Sequence, residues 1–120
     1  EIYEHKKLHV EVEENAACKV HMNESLANIL ITNLLKNAMI HTPNEGSITI
    51  RVQSTGITFT NSTDGPSLDQ SRLFTRFYQA DNKKSDSTGL GLAIIQSIVH
   101  LYHFHISYSF DGKHRFDLRF

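Results

Sequence analysis

Apolar and polar residues alternate through "LHVEVEE" from Leu8, the period of a half-buried strand, and alternate again through "ACKVHM", residues 17–22, after the polar "EENA". The two runs predict a hairpin-like entry to the domain. From residue 24 the apolar positions recur at helical spacing. Asn23 stands ready as the N-cap, Glu24 suits the first turn, and Pro43, Asn44 and Gly46 close the helix. "SITIRVQ" and "GITFTN" predict two strands joined by a short turn around Ser54, Thr55 and Gly56. After Asn61 the pattern dissolves. "STDGPSLDQ" is turn chemistry, "SRLFTRFYQ" predicts a turn or two of helix, and "ADNKKSDSTG" predicts a mobile loop. Helical spacing returns over residues 90–101. "HISYSF" and "HRFDLRF", separated by "DGK", then predict a final hairpin whose inward face carries Phe116, Leu118 and Phe120. The order β, β, α, β, β, irregular, α, β, β implies an α+β fold: a mostly antiparallel sheet with helices on one face.

The first helix contains an anomaly. With about 100° between successive residues, Leu26, Leu30, Leu34 and Ala38 form one row, flanked by Ala27, Ile31 and Leu35. A second row runs Ile29, Asn33, Asn37, His41, so two amides and an imidazole stack along one edge of the buried stripe. Burying an unpartnered amide costs on the order of 1–3 kcal/mol. Either these side chains bond neighbouring loops and strand edges, or they line a polar cleft that takes a ligand. Neutral amide oxygens suit a hard cation such as Mg²⁺ whose charge is balanced by phosphate oxygens.

Composition narrows the function classes. The 120 residues carry a formal charge of -1 with 39% hydrophobic residues, which fits one globular domain. Twelve Lys and Arg against thirteen Asp and Glu leave no basic excess for a nucleic-acid backbone. No stretch has the length of a bilayer span or the pattern of a signal peptide, so the expectation is a soluble domain without direct membrane contact. Starting at Glu1 in mid-pattern, the chain reads as a piece of something longer, with membrane segments possible upstream. Cys18, the only cysteine, excludes an internal disulfide and reads as a small buried hydrophobe. Among the eight histidines, His100, His103, His105 and His114 read as surface residues rather than as a zinc site.

A second chemical signal is "STGLGLAII", where Gly89 and Gly91 lie between the irregular stretch and a helix. Glycines there let backbone N–H groups approach a ligand, and a helix N-terminus attracts anions. Alone the motif is weak, and no Walker-type lysine loop accompanies it. Joined to the amide-bearing helix, it offers a place for metal and phosphate.

With those residues in view, the chain resembles the catalytic, ATP-binding domain of sensor histidine kinases, in the GHKL superfamily with its Bergerat-type two-layer α/β sandwich. "NLLKNAMIHT" resembles the N box, "LFTRFYQ" the F box and "TGLGLAI" the G2 box. The resemblance runs from Leu8 onward, with residues 1–7 as the tail of a connecting segment and 8–120 as the ATP-binding domain. It implies that Asn37 coordinates Mg²⁺ bridging the phosphates, with Asn33 and His41 helping to bind them. Hydrolytic relatives carry a carboxylate at the place of Asn33, and an amide cannot act as a general base, which favours phosphoryl transfer over hydrolysis. Gly89, Leu90 and Gly91, with Thr88 and Leu92 beside them, would form the hinge and phosphate-facing start of the last helix. Residues 80–88 would be the ATP lid, with Lys83 and Lys84 either reaching phosphate oxygens or standing as solvated charge. Arg76 matches the F-box arginine that stabilises charge on the transferred group, or is a surface arginine between Phe74 and Phe77. Phe77 would anchor the lid base.

The sequence departs from the family most at the G1 box. Relatives read Asp-x-Gly-x-Gly there; "NSTDG" has Asn61 for the Asp, Thr63 for the first Gly, and retains Gly65. An Asn oxygen can accept from the adenine amino group while its NH₂ donates to a ring nitrogen. His114 stands where a small hydroxyl residue commonly lines the adenine side, and Ile40 where many relatives have a basic residue. The cofactors implied are ATP and Mg²⁺. The partners implied are a dimerisation and histidine-phosphotransfer domain, absent from this chain, and a response-regulator receiver domain. The location implied is the cytoplasmic side of an inner-membrane sensor. His5 does not suit the phosphoacceptor role, because no helical pair surrounds it. The alternative is a degenerate, non-enzymatic GHKL module that docks on its partner domain with weak or no nucleotide binding.

Overall fold

The computed structural model describes residues 7–68 and 90–120. Among these, the elements run β1 (His9–Glu14), α1 (Glu24–Ile40), β2 (Ser47–Gln53), β3 (Gly56–Ser62), α2 (Leu90–Leu101), β4 (His105–Phe110) and β5 (Lys113–Arg119). The strands form one five-stranded sheet in the order β1-β2-β3-β5-β4. Only β1 and β2 pair in parallel; the other three neighbouring pairs are antiparallel. The α+β architecture with a mixed, mostly antiparallel sheet is therefore as expected. The hairpin-like entry is not. Residues 17–22 form no strand, and β1 pairs across the chain with β2 instead of with its sequence neighbour. Alternation in "ACKVHM" marks only a connection, in which Cys18 is half-buried rather than buried.

Register sorts the sheet's side chains into rows. On the inner face, Val12, Ile50, Phe59, Phe116 and Tyr108 stand in one row. The next row reads Val52, Ile57, Leu118 and Ile106, and the row on the other side Val10, Ile48, Asn61, His114 and Phe110. Onto this face α1 brings Leu30 and Leu34, and α2 brings Leu92, Ile95, Ile98 and Val99, closing one core with Phe59, Phe116 and Leu118. Burial of each such side chain contributes about 1.5–3 kcal/mol. The outer face alternates to Thr49, Thr60, Arg115, Thr58 and Asp117 and is polar. The helices stop short of β1, whose Val10 and Val12 remain 51% and 61% exposed.

Local chemistry sets the helix ends. Asn23 has extended backbone, and its side chain accepts from the Leu26 N–H, as the sequence predicts of an N-cap. Its own N–H donates to the Tyr102 hydroxyl at 3.0 Å, tying the start of α1 to the end of α2. α2 ends in a Schellman arrangement: Phe104 N–H donates to Val99 C=O, His103 N–H donates to His100 C=O, and His103 itself has φ 59°. Between β2 and β3, a Cβ on Gly56 would lie 2.2 Å from the Leu118 carbonyl oxygen, so only glycine lets β3 approach β5 there.

Candidate functional site

The polar groups of the inner face gather at one end of the sheet, beside the C-terminal turn of α1. Helical spacing places Asn33, Asn37 and His41 along the edge of the buried stripe, and all three are half-buried, while Leu30, Leu34 and Ala38 are fully buried. The two asparagines are not equivalent. Asn33 turns back on its own helix, Nδ2 donating to the Ile29 carbonyl at 2.7 Å. The Asn37 side chain has no hydrogen-bond partner among the described residues. Its amide is thus available to a ligand, and its oxygen is a neutral, hard donor of the kind that suits a phosphate-bound Mg²⁺. The expectation that Asn37 is the metal-facing residue fits this donor chemistry.

Asn61 and His114 face each other across the β3–β5 pair and are 2% and 3% exposed. Nδ1 of His114 lies 2.7 Å from the Tyr108 hydroxyl, which also accepts from the Leu68 N–H at 2.9 Å. The His114 ring meets that of His41 edge-on, with centroids 6.0 Å apart, and Phe110 lies 5.5 Å away on another side. A histidine buried in this way is part of the wall. The reading of His100, His103 and His105 as surface residues matches their exposure, and His114 departs from it because strand alternation turns it inward.

The Asn61 amide is oriented by the main chain. Its Nδ2 donates to the carbonyl of His41 at 3.4 Å and to that of Ser62 at 3.2 Å. The NH₂ group thus serves two carbonyls here, where the sequence reading has it donate to a ring nitrogen of the base. The Asn61 Oδ1 accepts no hydrogen bond among the described residues. Thr63, in place of a glycine, closes the loop onto itself, its Oγ1 accepting from the N–H of exposed Gly65 at 3.1 Å. Gly46 holds the α1–β2 connection close: a Cβ there would come within 2.5 Å of Thr42 and 2.8 Å of the Ser62 hydroxyl. The buried Thr42 hydroxyl in turn donates to the Ala38 carbonyl.

The last helix begins at Leu90, inside the glycine motif, so Leu90 and Gly91 are its first residues. Leu92 is buried in the hydrophobic core. Arg76, Phe77, Lys83, Lys84, Thr88 and Gly89 lie outside the described residues, as do the helical turns and the loop expected there. Sequence reading missed Tyr108 and Ser62. The signal for Tyr108 was present, because an inward-facing tyrosine in an alternating strand needs a partner for its hydroxyl. Ser62 acts through its main-chain carbonyl and leaves no such signal.

This fold, with an amide-edged helix beside a glycine-led one, defines an ATP-binding domain of the histidine kinase class. The family model for histidine kinase-, DNA gyrase B- and HSP90-like ATPases matches residues 22–120, and the chain belongs to that family. Among relatives, the heme sensor protein HssS of Staphylococcus epidermidis is 41% identical over 98 residues, covering 78% of this chain and 22% of that protein. HssS of Staphylococcus aureus is 40% identical over 97 residues, 77% of this chain and 21% of that protein. The chain therefore matches about a fifth of these relatives' length. Among solved structures, the mycobacterial sensor histidine kinase MprB superposes with TM-score 0.76 at 18% identity, over 96% of this chain and 82% of that one. The catalytic domain of histidine kinase ThkA gives 0.72 at 21% identity, over 94% and 79%. At these identities the likeness speaks for the fold.

Proposed function

We propose that this chain is the catalytic domain of a two-component sensor histidine kinase, and that it transfers the γ-phosphate of ATP to a histidine on a dimerisation domain outside this chain. A response-regulator receiver domain would then take the phosphoryl group. The observation that carries transfer over hydrolysis is Asn33: its place holds an amide, donating to the Ile29 carbonyl, where a water-activating enzyme needs a carboxylate. Asn37 would hold Mg²⁺, which when bound neutralises charge on the phosphates; Asn33 and His41 would orient the phosphates from the same helix edge. Asn61 would accept from the adenine amino group, with His114 and Tyr108 forming the wall behind it. Arg76, Lys83, Lys84 and the glycines of residues 89–91 would complete the phosphate side, and residues 80–88 would serve as its lid.

The Asn61 oxygen, which accepts no hydrogen bond among the described residues, favours this reading over a module that only docks, since a docking module has no use for it. The test mixes the purified chain with the dimerisation domain of its own protein, Mg²⁺ and γ-labelled ATP. Acid-labile label on the dimerisation domain is expected. Steady phosphate release without label transfer would instead make the chain an ATPase, and the absence of both, with no thermal shift by Mg·ATP, would leave only docking.

A further inference from the structure

We propose that the open edge of β1 is a docking site for an extended segment of another protein, which adds to the sheet as an antiparallel strand with apolar residues opposite Val10 and Val12 and cations opposite Glu11 and Glu14. This surface is independent of the nucleotide site. Backbone direction defines it. The His9 N–H donates to the Gly46 carbonyl and the Asn15 N–H to that of Val52, both at 2.9 Å. The period of two in a parallel pair then turns residues 9, 11, 13 and 15 towards β2, and turns the N–H and C=O groups of Val10, Val12 and Glu14 away from it. β1 ends the sheet, and among the described residues no strand lies beyond it. Three donors and three acceptors therefore stand on the open side at the spacing of a strand ladder.

Register states which side chains the added strand must carry. Val10 stands beside Ile48 and Val12 beside Ile50, all on the inner face. Ile48 has neighbours on both sides and is fully buried, whereas both valines are more than half exposed. Apolar side chains set directly opposite them take that surface out of water. An antiparallel strand also engages the outward groups of Val10, Val12 and Glu14 in closely spaced pairs of bonds, the more stable of the two ladders.

Charge selects the rest of the strand. On the outer face Glu13 stands opposite Arg51 and pairs with it, Nε to Oε1 at 3.2 Å. Glu11 is opposite Thr49 and Glu14 opposite Val52, so β2 gives neither a cation, and neither has an ion-pair partner among the described residues. A Lys or Arg opposite Glu11 or Glu14 on the open side repeats the cross-strand pairing that Arg51 already makes with Glu13. The edge thus fits a short extended segment that is apolar on one face and carries two cations at fixed positions.

The test uses this chain and a capped probe peptide, Lys-Thr-Val-Lys-Val-Thr, which in antiparallel register sets its lysines opposite Glu14 and Glu11 and its valines opposite Val12 and Val10. In the free chain, the amides of Val10 and Val12 should exchange with solvent at least about tenfold faster than those of Glu11 and Glu13. Equal rates overturn the proposal, because the edge is then already covered: by this chain's own residues if it sediments as a monomer, by a second copy if as a dimer. At about 1 mM peptide the Val10 and Val12 amides should slow at least about tenfold; no slowing overturns strand addition, whether or not the peptide adheres elsewhere. Methylating the backbone nitrogens of the two peptide valines, which face β1, should abolish the slowing, while methylating those of the first threonine and second lysine, which face away, should leave it. The reverse order, or no difference, overturns the antiparallel strand. Glu11→Lys combined with Glu14→Lys, at exposed positions without ion pairs, should lose the basic peptide and bind Glu-Thr-Val-Glu-Val-Thr at least about tenfold more tightly than the wild type does. An unchanged preference for the basic peptide overturns the role given to charge.

Discussion

Along the inner face of the sheet, Ile57 and Leu118 at one end hold the same positions in the pleat as Asn61 and His114 at the other. All four face the helices, and the difference lies in what each demands of its neighbours. Leu118 is fully buried and needs only close-packed atoms; any shape-matched apolar residue would be tolerated there. Asn61 and His114 are buried nearly as deeply but need particular partners: two carbonyls for one, a tyrosine hydroxyl for the other. One end of the face is thus governed by volume and the other by hydrogen-bond direction. Stability resides in the first, and a ligand can be recognised only by the second, because only direction distinguishes one polar molecule from another.

Substitutions at the two ends should separate these roles. At the apolar end, Phe59→Ala should cost about 3–5 kcal/mol. Urea denaturation should show most of the domain's stability lost; a cost near 1 kcal/mol would mean that Phe59 is not central to the core. At the polar end, Asn37→Ala should leave the stability of the chain alone within about 0.5 kcal/mol, since the amide has no partner to lose. At Mg·ATP about 100 times Kd, however, the wild type should gain about 2.7 kcal/mol that the variant lacks. A variant still stabilised by Mg·ATP to the same extent would remove Asn37 from the site.

Tyr108→Phe sharpens the contrast, because it deletes only the hydroxyl that links Leu68 N–H to His114. The expected loss is about 1–2 kcal/mol in thermal or chemical melting. A neutral result would mean that the His114 wall stands without that link. The smallest effect belongs to a place outside both ends. His103→Gly relieves a left-handed backbone at the end of α2 and should raise stability by about 0.5–1 kcal/mol. A destabilised variant would show that the histidine side chain outweighs the backbone strain.

Much of the fold was legible in the sequence because it is local. The Asn23 cap, the stripe of α1, and the two hairpins β2–β3 and β4–β5 each rest on residues close in the chain. The failure at residues 17–22 has a physical reason. Alternation reports what a strand would look like, but not which segment it pairs with. Here β1 pairs with β2, more than thirty residues later in the chain, and not with residues 17–22 beside it. The site was legible as a set of residue types on α1 and at the G1 position. The direction of the Asn61 amide was not, because it depends on the His41 carbonyl, a main-chain group twenty residues away that no side-chain pattern encodes.

The uncovered strand β1 has one more consequence. Its Val10 and Val12 are exposed and, among the described residues, its outer edge is unpaired, the geometry on which a second chain could add a strand. The same six residues carry Glu11, Glu13 and Glu14. An approaching copy of β1 therefore meets a fringe of like charge before backbone can join backbone, which weakens edge-to-edge addition at this strand.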